Sequence, residues 1–344
     1  MNVNLLKSPD GAGKSWRGDM VLLLGASGCV GRTFASELRR RGRCYIPLTR
    51  RAFDYTRFDF LFDYVRTMRP AFLVNAANYE SPIWGIPGEA EREKMMAANA
   101  ILPQMIARVC LMTKTPWGQV SSGAIYSGAK VLENGEPVVR QRLDEPKTLA
   151  LFNSRPDTFH GFTELDEPNL SFKTECRDFY SGTKALAEEA IKDIGENYVW
   201  RLRLPFNERN EPCNWLWRAQ RQGKVHEGIH SLSHMEDSVK ACLDLWESGA
   251  PYGAYNVANP GAITMSSVAR MMGRALGAAV RTEPAQDGAA PPGCILDCRK
   301  LSRAGVKLRP IEEALQDCLD RLRISEDTIR HWESACKVSS AAVH

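Results

Sequence analysis

The sequence has no long hydrophobic run. Nothing in it approaches the ~20 consecutive apolar residues of a membrane-spanning helix, and the opening MNVNLLKSPDGAGKSWRGD is too polar for the core of a secretion signal. A cytoplasmic protein is therefore expected. The sequence also has little net charge. Lys plus Arg number 45 against 41 Asp plus Glu, leaving +4 spread along the chain, which argues against nucleic acid as the main partner and leaves room for a local anionic ligand. No internal repeat is present at solenoid periods. The 10 cysteines form no short-spaced framework, so they are expected as reduced thiols, mostly core filler. Cys294 and Cys298, the closest pair, do not make a metal site alone, and no metal is expected.

What is present is an ordinary globular composition, 44% hydrophobic and 25% charged over 344 residues, enough for one or two domains. Residues 1–18 carry no apolar periodicity and are expected to be a flexible leader. From Met20, MVLLLGASGCVG followed by TFASELRRRG predicts strand, tight turn and helix. CYIPLT, FDFLFDYVRTM and AFLVNAA continue the alternation, which implies a parallel sheet in an α/β fold. EREKMMAANAILPQMIARVC predicts a long helix in which Pro103 makes a bend or begins a second helix, and GQVSSGAIYS the next strand. The weakly periodic stretch 127–178 is too long for a connection and is expected to be a functional or mobile insertion. SGTKALAEEAIKDIG resumes as a helix and YVWRLRLP as a strand. Beyond Pro205, helices are predicted near 235–248, 264–276, 310–323 and 326–336, in a smaller lobe. The expected domains are thus 19–205 for cofactor and 206–344 mainly for substrate, with part of the latter returning to the sheet.

The sharpest motif is Gly25-Ala-Ser27-Gly28-Cys29-Val30-Gly31 between the first strand and first helix, where a dinucleotide fingerprint belongs. Gly25 permits the tight turn, Gly28 admits the pyrophosphate, Gly31 lets helix and strand approach, and the helix N-terminus supplies free N–H groups. An acid at the end of the second strand would bind ribose hydroxyls. Thr49-Arg50-Arg51 offers two arginines instead, favouring NADP(H) over NAD(H). The candidate catalytic set is Ser122, Tyr180 and Lys184. Tyr180-Ser-Gly-Thr-Lys184 opens a helix, so i,i+4 spacing puts phenol and ammonium on one face, and a nearby cation favours the phenolate. Tyr126-Ser-Gly-Ala-Lys130 has the same spacing, but Gly128 and its loop context disfavour a helix there.

Two further matches read as decoys. His226-Glu-Gly-Ile-His230 fits HExxH, but Gly228 and extended flanks weaken the helix that zinc would require. SPDGAGKS, residues 8–15, nearly matches a phosphate loop but has no preceding strand. Arg201, Arg203, Arg218, Arg221 and Lys224 could grip a diphosphate.

The GxxGxxG spacing with Tyr180/Lys184 resembles the extended short-chain dehydrogenase/reductases, the NAD-dependent epimerase/dehydratase superfamily. FDYTRFDFLFDYVRTMRPAFLVNAAN, FYSGTKALAEEAI, RLRLPFN, YNVANPGAITM and CILDCRKL resemble its dTDP-4-dehydrorhamnose reductase and 3,5-epimerase/4-reductase groups. The resemblance implies a Rossmann-type doubly wound sheet with a smaller C-terminal lobe. It places Asp54 and Tyr55 beside the adenine, and Ala76 and Ala77 of Asn75-Ala-Ala-Asn78 against the ribose and diphosphate. Asn99 would help hold Lys184 and a water, Lys184 the nicotinamide ribose, and Ser122 the substrate oxygen. With Ser122, the candidate substrate residues are Asn207 and, from the guanidinium cluster, Arg218 and Arg221, and a homodimer is expected.

Dehydratases of the family carry Thr-Asp-Glu where Ser121-Ser122-Gly123 stands, so elimination is disfavoured. The epimerase Cys and Lys positions hold Ala124 and about Arg218, which counts against 3,5-epimerisation. The reading is an NADP-preferring reductase of a nucleotide-linked 4-keto-6-deoxy-sugar. A nucleotide-sugar 4-epimerase keeping tightly bound NAD, and a non-catalytic NADP(H)-sensing protein, are the rivals.

Overall fold

The computed structural model describes residues 19–80, 87–174, 178–211, 213–277, 279–284 and 291–323. The leader, the near-miss phosphate loop and the helix predicted near 326–336 lie outside the described residues.

VLLL forms β1 (Val21–Leu24), completely buried, and the glycine turn after it delivers the chain into α1 (Cys29–Arg40). There follow β2 (Tyr45–Leu48), α2 (Phe58–Met68) and β3 (Phe72–Asn75). The predicted long helix is three consecutive pieces, α3 (Glu89–Met96), a π-helical turn Ala97–Ile101, and α4 (Leu102–Thr113). Pro103 thus stands where a second helix begins. It sits in the first turn of α4, where a missing N–H costs least, and the π turn just before absorbs the register change. This run, Glu89–Thr113, is apolar and long enough to reach across a bilayer, contrary to the expectation from the sequence, but half of it is buried, and α4 packs on α2 and α6 (Phe179–Ile191).

β4 (Trp117–Ser122) completes the first half-sheet. Of the stretch expected to be a functional or mobile insertion, the described residues 127–174 form regular elements, which goes against the mobile alternative. β5 (Ala129–Glu133) pairs antiparallel with β6 (Glu136–Arg140) and with β7 (Phe159–His160), and α5 (Pro146–Ser154) covers them. Val131, Phe159, Leu143 and Ile295 share its small core, so hairpin and C-terminal chain stabilise each other. Alternation was hard to read because β6 is exposed along most of its length.

After α6, β8 (Asn197–Leu202) enters the sheet, followed by β9 (Pro205–Phe206) and α7 (Trp215–Gln222). The short strands β10 (Lys224–His226), β11 (Ile229–His230) and β12 (Ser233–His234) lead to α8 (Met235–Glu247). β13 (Gly253–Asn256) then pairs with β8, bringing the chain back to the main sheet. β14 (Ile263–Thr264), α9 (Met265–Leu276), β15 (Arg281–Glu283), α10 (Arg299–Arg303) and a helix at 311–323 complete the described chain.

The main sheet has the order β13-β8-β4-β3-β1-β2, every pair parallel, as in Rossmann-type folds. One face packs Phe34, Phe72, Trp200 and Val239 beneath α1 and α8, the other packs Leu61, Val65, Ile106 and Ile191 beneath α2, α4 and α6. A separate core of Phe206, Leu216, Met272, Leu315 and Leu319 organises the smaller lobe. Strand order reverses between β1 and β3, so the carboxyl ends of those strands open a crevice.

Candidate active site

The glycine turn is built for close approach. Gly25 has φ +72°, and a Cβ there would lie 2.4 Å from Ala77 N. On Gly31 it would lie 2.1 Å from Gly25 O, whereas on Gly28 it would meet only Gly25 O at 3.4 Å. Gly25 and Gly31 thus lock strand, turn and helix together while Gly28 keeps an open face. Gly28 caps α1 without a side-chain hydrogen bond, and no acid stands in the first turn, so the N-terminal N–H groups are suited to an anion. Ser27 and Cys29 flank Gly28, and Val30 packs on the sheet core. Ala76 N donates to Leu24 O and Ala77 N to Asn75 Oδ1, holding the second wall of the crevice.

Arg50 and Arg51 are exposed just beyond β2, at the edge of that crevice. Asp54 is exposed and bonded to Thr56, while Tyr55 is buried with its phenol against the Gly25 backbone, so it braces the glycine turn. These residues fit a dinucleotide carrying a 2′-phosphate.

One feature was not expected. Cys29 and Cys213 are disulfide-bonded, correcting the view that all the thiols are free. The loop 207–214 is thereby tied to the α1 N-terminus, and Arg32 pairs with Glu211 beside the bond. Asn207 is buried with its side chain turned to Arg209 N and Met235 Sδ, so it shapes this loop.

Tyr180 and Lys184 lie where the helix motif predicts. Asp178 caps α6 by accepting from Tyr180 N and Ser181 N at 3.2 Å each, which fixes Tyr180 in the first turn. Lys184 is 2% exposed, with Nζ 5.6 Å from the Tyr180 ring centroid. Burial pulls its pKa down to about 8, partly opposed by Glu80 and Glu188. The phenol of Tyr180 is pushed well above the ordinary tyrosine value by burial and then by Glu80, with Ser122 and Asn78 hydrogen-bonding to it in opposition. The expected lowering of the phenol pKa by Lys184 is therefore outweighed. Ser122, at the end of β4, also accepts from Ala124 N at 3.1 Å.

Asn99 lies in the π turn. Its Oδ1 accepts from Tyr79 N at 2.9 Å, and its Nδ2 donates to Tyr79 O at 2.8 Å and Thr183 Oγ1 at 3.3 Å. It positions the α6 motif through Thr183, with no direct bond to Lys184 among the described residues. π turns recur at such sites. Glu80, Asn78 and Thr183 were missed in the sequence. Asn78 was visible as the end of NAAN, whereas Glu80 sits in a loop with no pattern to announce it.

A cavity of about 130 Å³ in the smaller lobe is lined by Trp215, Arg218, Gln222, Lys224, His230 and Met265. Arg218 also influences Glu80, linking this cavity to the catalytic side. The proposed basic cluster is otherwise dispersed. Arg201 is buried against Glu188 at 2.7 Å, Arg203 is buried against Pro292 O and His230, and Arg221 lies over Trp217. Burial beside that guanidinium holds the His230 imidazole well below its usual pKa. His226 and His230 stand on separate strands, not on one helical face, and Lys130 of the second Tyr-x-x-x-Lys pairs with Asp166 from β5.

Residues 19–149 match the family model of the RmlD substrate binding domain. That match covers the first part of the chain and is what these residues are similar to. A dTDP-4-dehydrorhamnose reductase of Streptomyces griseus is 24% identical over 94% of this chain and 93% of its own length. A trifunctional UDP-glucose 4,6-dehydratase/UDP-4-keto-6-deoxy-D-glucose 3,5-epimerase/UDP-4-keto-L-rhamnose-reductase of Arabidopsis thaliana is 22% identical over 60% of the chain, which spans only 27% of that larger protein. Among solved structures, dTDP-4-dehydrorhamnose reductase of Bacillus anthracis in complex with NADP superposes with TM-score 0.68 at 18% identity, covering 87% of this chain and 98% of that one. The chain thus shares the Rossmann-type fold of that structure.

Proposed function

We propose that the protein is an NADP(H)-dependent reductase of a nucleotide-linked 4-keto-6-deoxy-sugar, with NAD(H) as the lesser cofactor. The observation that carries the proposal is the grouping of Ser122, Tyr180 and Lys184 at the carboxyl end of the sheet whose glycine turn is shaped for a dinucleotide. The RmlD-type relatives, named as reductases, support it. Gly28 and the α1 N-terminus would hold the pyrophosphate, Arg50 and Arg51 the 2′-phosphate, and Lys184 the nicotinamide ribose.

When bound, the nicotinamide supplies hydride to the keto carbon. Ser122 donates a hydrogen bond to the substrate oxygen, and Tyr180 gives it the proton. A phenol with a raised pKa remains protonated at neutral pH, as a donor in reduction requires. The Lys184 ammonium then stabilises the phenolate left behind. Arg218 and Lys224 receive the nucleotide diphosphate at the cavity mouth. Two chains associate through the exposed apolar positions Ile101, Leu111, Met112 and Leu186 of α4, its preceding turn and α6.

The test is turnover with NADPH on UDP- and dTDP-linked 4-keto-6-deoxy-sugars, with Tyr180→Phe alongside. A loss of at least ~100-fold is expected, the scale of general acid catalysis. Near-normal turnover by Tyr180→Phe would overturn the mechanism. NAD retained through dialysis would favour the 4-epimerase, and cofactor binding without turnover on any keto-sugar the sensing protein.

A further inference from the structure

Among the described residues, nine buried side-chain nitrogen or oxygen atoms have no hydrogen-bond partner, and four crowd into one place. They are Glu208 Oε2, His234 Nε2 and both carboxylate oxygens of Glu236. Buried polar atoms are rarely left unpaired, and a concentration of them points to an occupant. Cys318 completes the cluster. The donor atoms of Glu208, His234 and Cys318 all lie within 4.8 Å of one another, and His234 Nε2 is 3.6 Å from Glu208 and 3.5 Å from Glu236. His234 is 2% exposed and Cys318 0%, against the apolar core that holds Phe206, Leu315 and Leu319.

The imidazole is aimed by its other nitrogen. His234 Nδ1 lies 3.2 Å from Asp237 Oδ1, with Asp237 N at 3.4 Å and Arg309 NH2 at 3.3 Å also against it, and Asp237 is gripped by Arg309 Nε at 2.7 Å, so Nε2 faces the two glutamates. A histidine backed by a carboxylate on one nitrogen, with the other facing anionic donors, is the usual arrangement of a metal ligand. Charge agrees. Glu208, Glu236, Asp237 and Asp317 face Arg209, Arg309 and Arg321, an excess of one negative charge. A divalent cation held by the Cys318 thiolate brings the cluster to neutrality, as does one proton on His234.

We propose that Glu208, His234 and Cys318, with Glu236 as fourth donor, form a zinc site. Nitrogen, thiolate and carboxylate donors on one ion select zinc among common divalent cations, and four protein donors make a closed, structural site. Zinc–ligand bonds of about 2.0–2.3 Å set donor separations of about 3.3–3.8 Å, so the two His234–Glu distances already match and the thiolate draws inward. The ion ties together the loop after β9, the start of α8 and the helix at 311–323. The loop it anchors is the one that the Cys29–Cys213 bond holds at its other end. The site is independent of the catalytic proposal, because none of its donors belongs to the Ser122/Tyr180/Lys184 grouping.

The competing occupant is a proton, giving an imidazolium between two carboxylates. The test is metal content of untagged full-length protein from zinc-supplemented cells after gel filtration in metal-free buffer. About one zinc per chain is expected, because a ligand set formed by folding binds tightly. Apo wild-type protein titrated with Co²⁺ is expected to develop thiolate-to-cobalt absorption in the near ultraviolet with tetrahedral visible bands. Cys318→Ser removes the near-ultraviolet band, and Glu208→Gln weakens zinc binding by roughly tenfold or more. If those variants do not fold, the wild-type cobalt spectrum decides. Less than a tenth of an equivalent of zinc with no cobalt–thiolate band overturns the proposal, as does one zinc that Cys318→Ser and Glu208→Gln retain at wild-type affinity.

Discussion

Lys184 Nζ lies 5.6 Å from the Tyr180 ring centroid, buried one helical turn beyond it, and burial brings its pKa down to about 8. The ammonium is therefore fully charged below pH 8 and lost as pH rises through it. If it stabilises the tyrosinate formed in reduction, kcat/KM is flat on the acid side and falls about tenfold per pH unit above roughly 8. A profile flat to pH 9.5 would exclude this role. The same shift has a stability consequence of opposite usefulness. A lysine whose folded pKa is below its unfolded value of about 10.4 destabilises the fold while charged, fully below pH 8 and not at all above 10.4. Lys184→Met is accordingly expected to lose activity while holding or raising Tm at pH 7.

The exposed arginines after β2 predict cofactor choice. Arg50→Asp/Arg51→Ala removes both guanidiniums from the crevice edge and installs an acid for ribose hydroxyls. KM for NADPH is expected to rise at least ~10-fold, the worth of one charge-assisted phosphate contact, with NADH unchanged or improved. Steady-state kinetics with both cofactors checks it, and equal losses for both would show that the pair reads no 2′-phosphate.

The Cys29–Cys213 bond joins residues 184 apart in sequence, from the dinucleotide turn to the smaller lobe. Closing so long a loop is worth up to about 5 kcal/mol in the chain-entropy account. Non-reducing peptide mapping is expected to recover the Cys29 and Cys213 peptides linked. Dithiothreitol should lower Tm and alter KM for NADPH more than kcat, and Cys213→Ser should reproduce both effects without further response to reductant. An unlinked pair on mapping ends this prediction.

Much of the site was legible because local chemistry demands it. Gly25 and Gly31 announce a turn that only glycine fits, and Tyr180 with Lys184 announces a helix face. The parallel sheet followed from strand–helix alternation, and β13 pairs with β8 in the main sheet although the smaller lobe separates them in sequence. What the sequence hid depends on contacts between distant segments. Arg201 looked like a diphosphate ligand because it stands in RLRLP, but strand alternation turns it to Glu188 on α6. Cys29 and Cys213 meet only once the smaller lobe folds back on the glycine turn. The three-stranded sheet of β5, β6 and β7 was unreadable because β6 presents almost no buried face.

The Arg201–Glu188 pair yields the last prediction. Their side chains are 6% and 9% exposed, and Glu188 Oε2 accepts from Arg201 Nε at 2.9 Å and NH2 at 2.7 Å. Ser121 Oγ donates to the other carboxylate oxygen at 2.5 Å, and Arg201 NH1 donates to the Tyr126 phenol at 3.0 Å, so both charges are enclosed in hydrogen bonds. A buried pair of this kind contributes little net stability, but removing one partner strands the other charge in a dry interior. Arg201→Met is therefore expected to cost about 3–5 kcal/mol, while Arg201→Met/Glu188→Leu recovers most of it. Denaturant unfolding of the two single variants and the double variant measures the coupling. Because Glu188 also raises the Lys184 pKa, Glu188→Leu alone should shift the alkaline limb of the activity profile to lower pH. A double variant no more stable than Arg201→Met would mean that the pair is not what holds β8 to α6, and an unmoved alkaline limb that Glu188 does not act on Lys184.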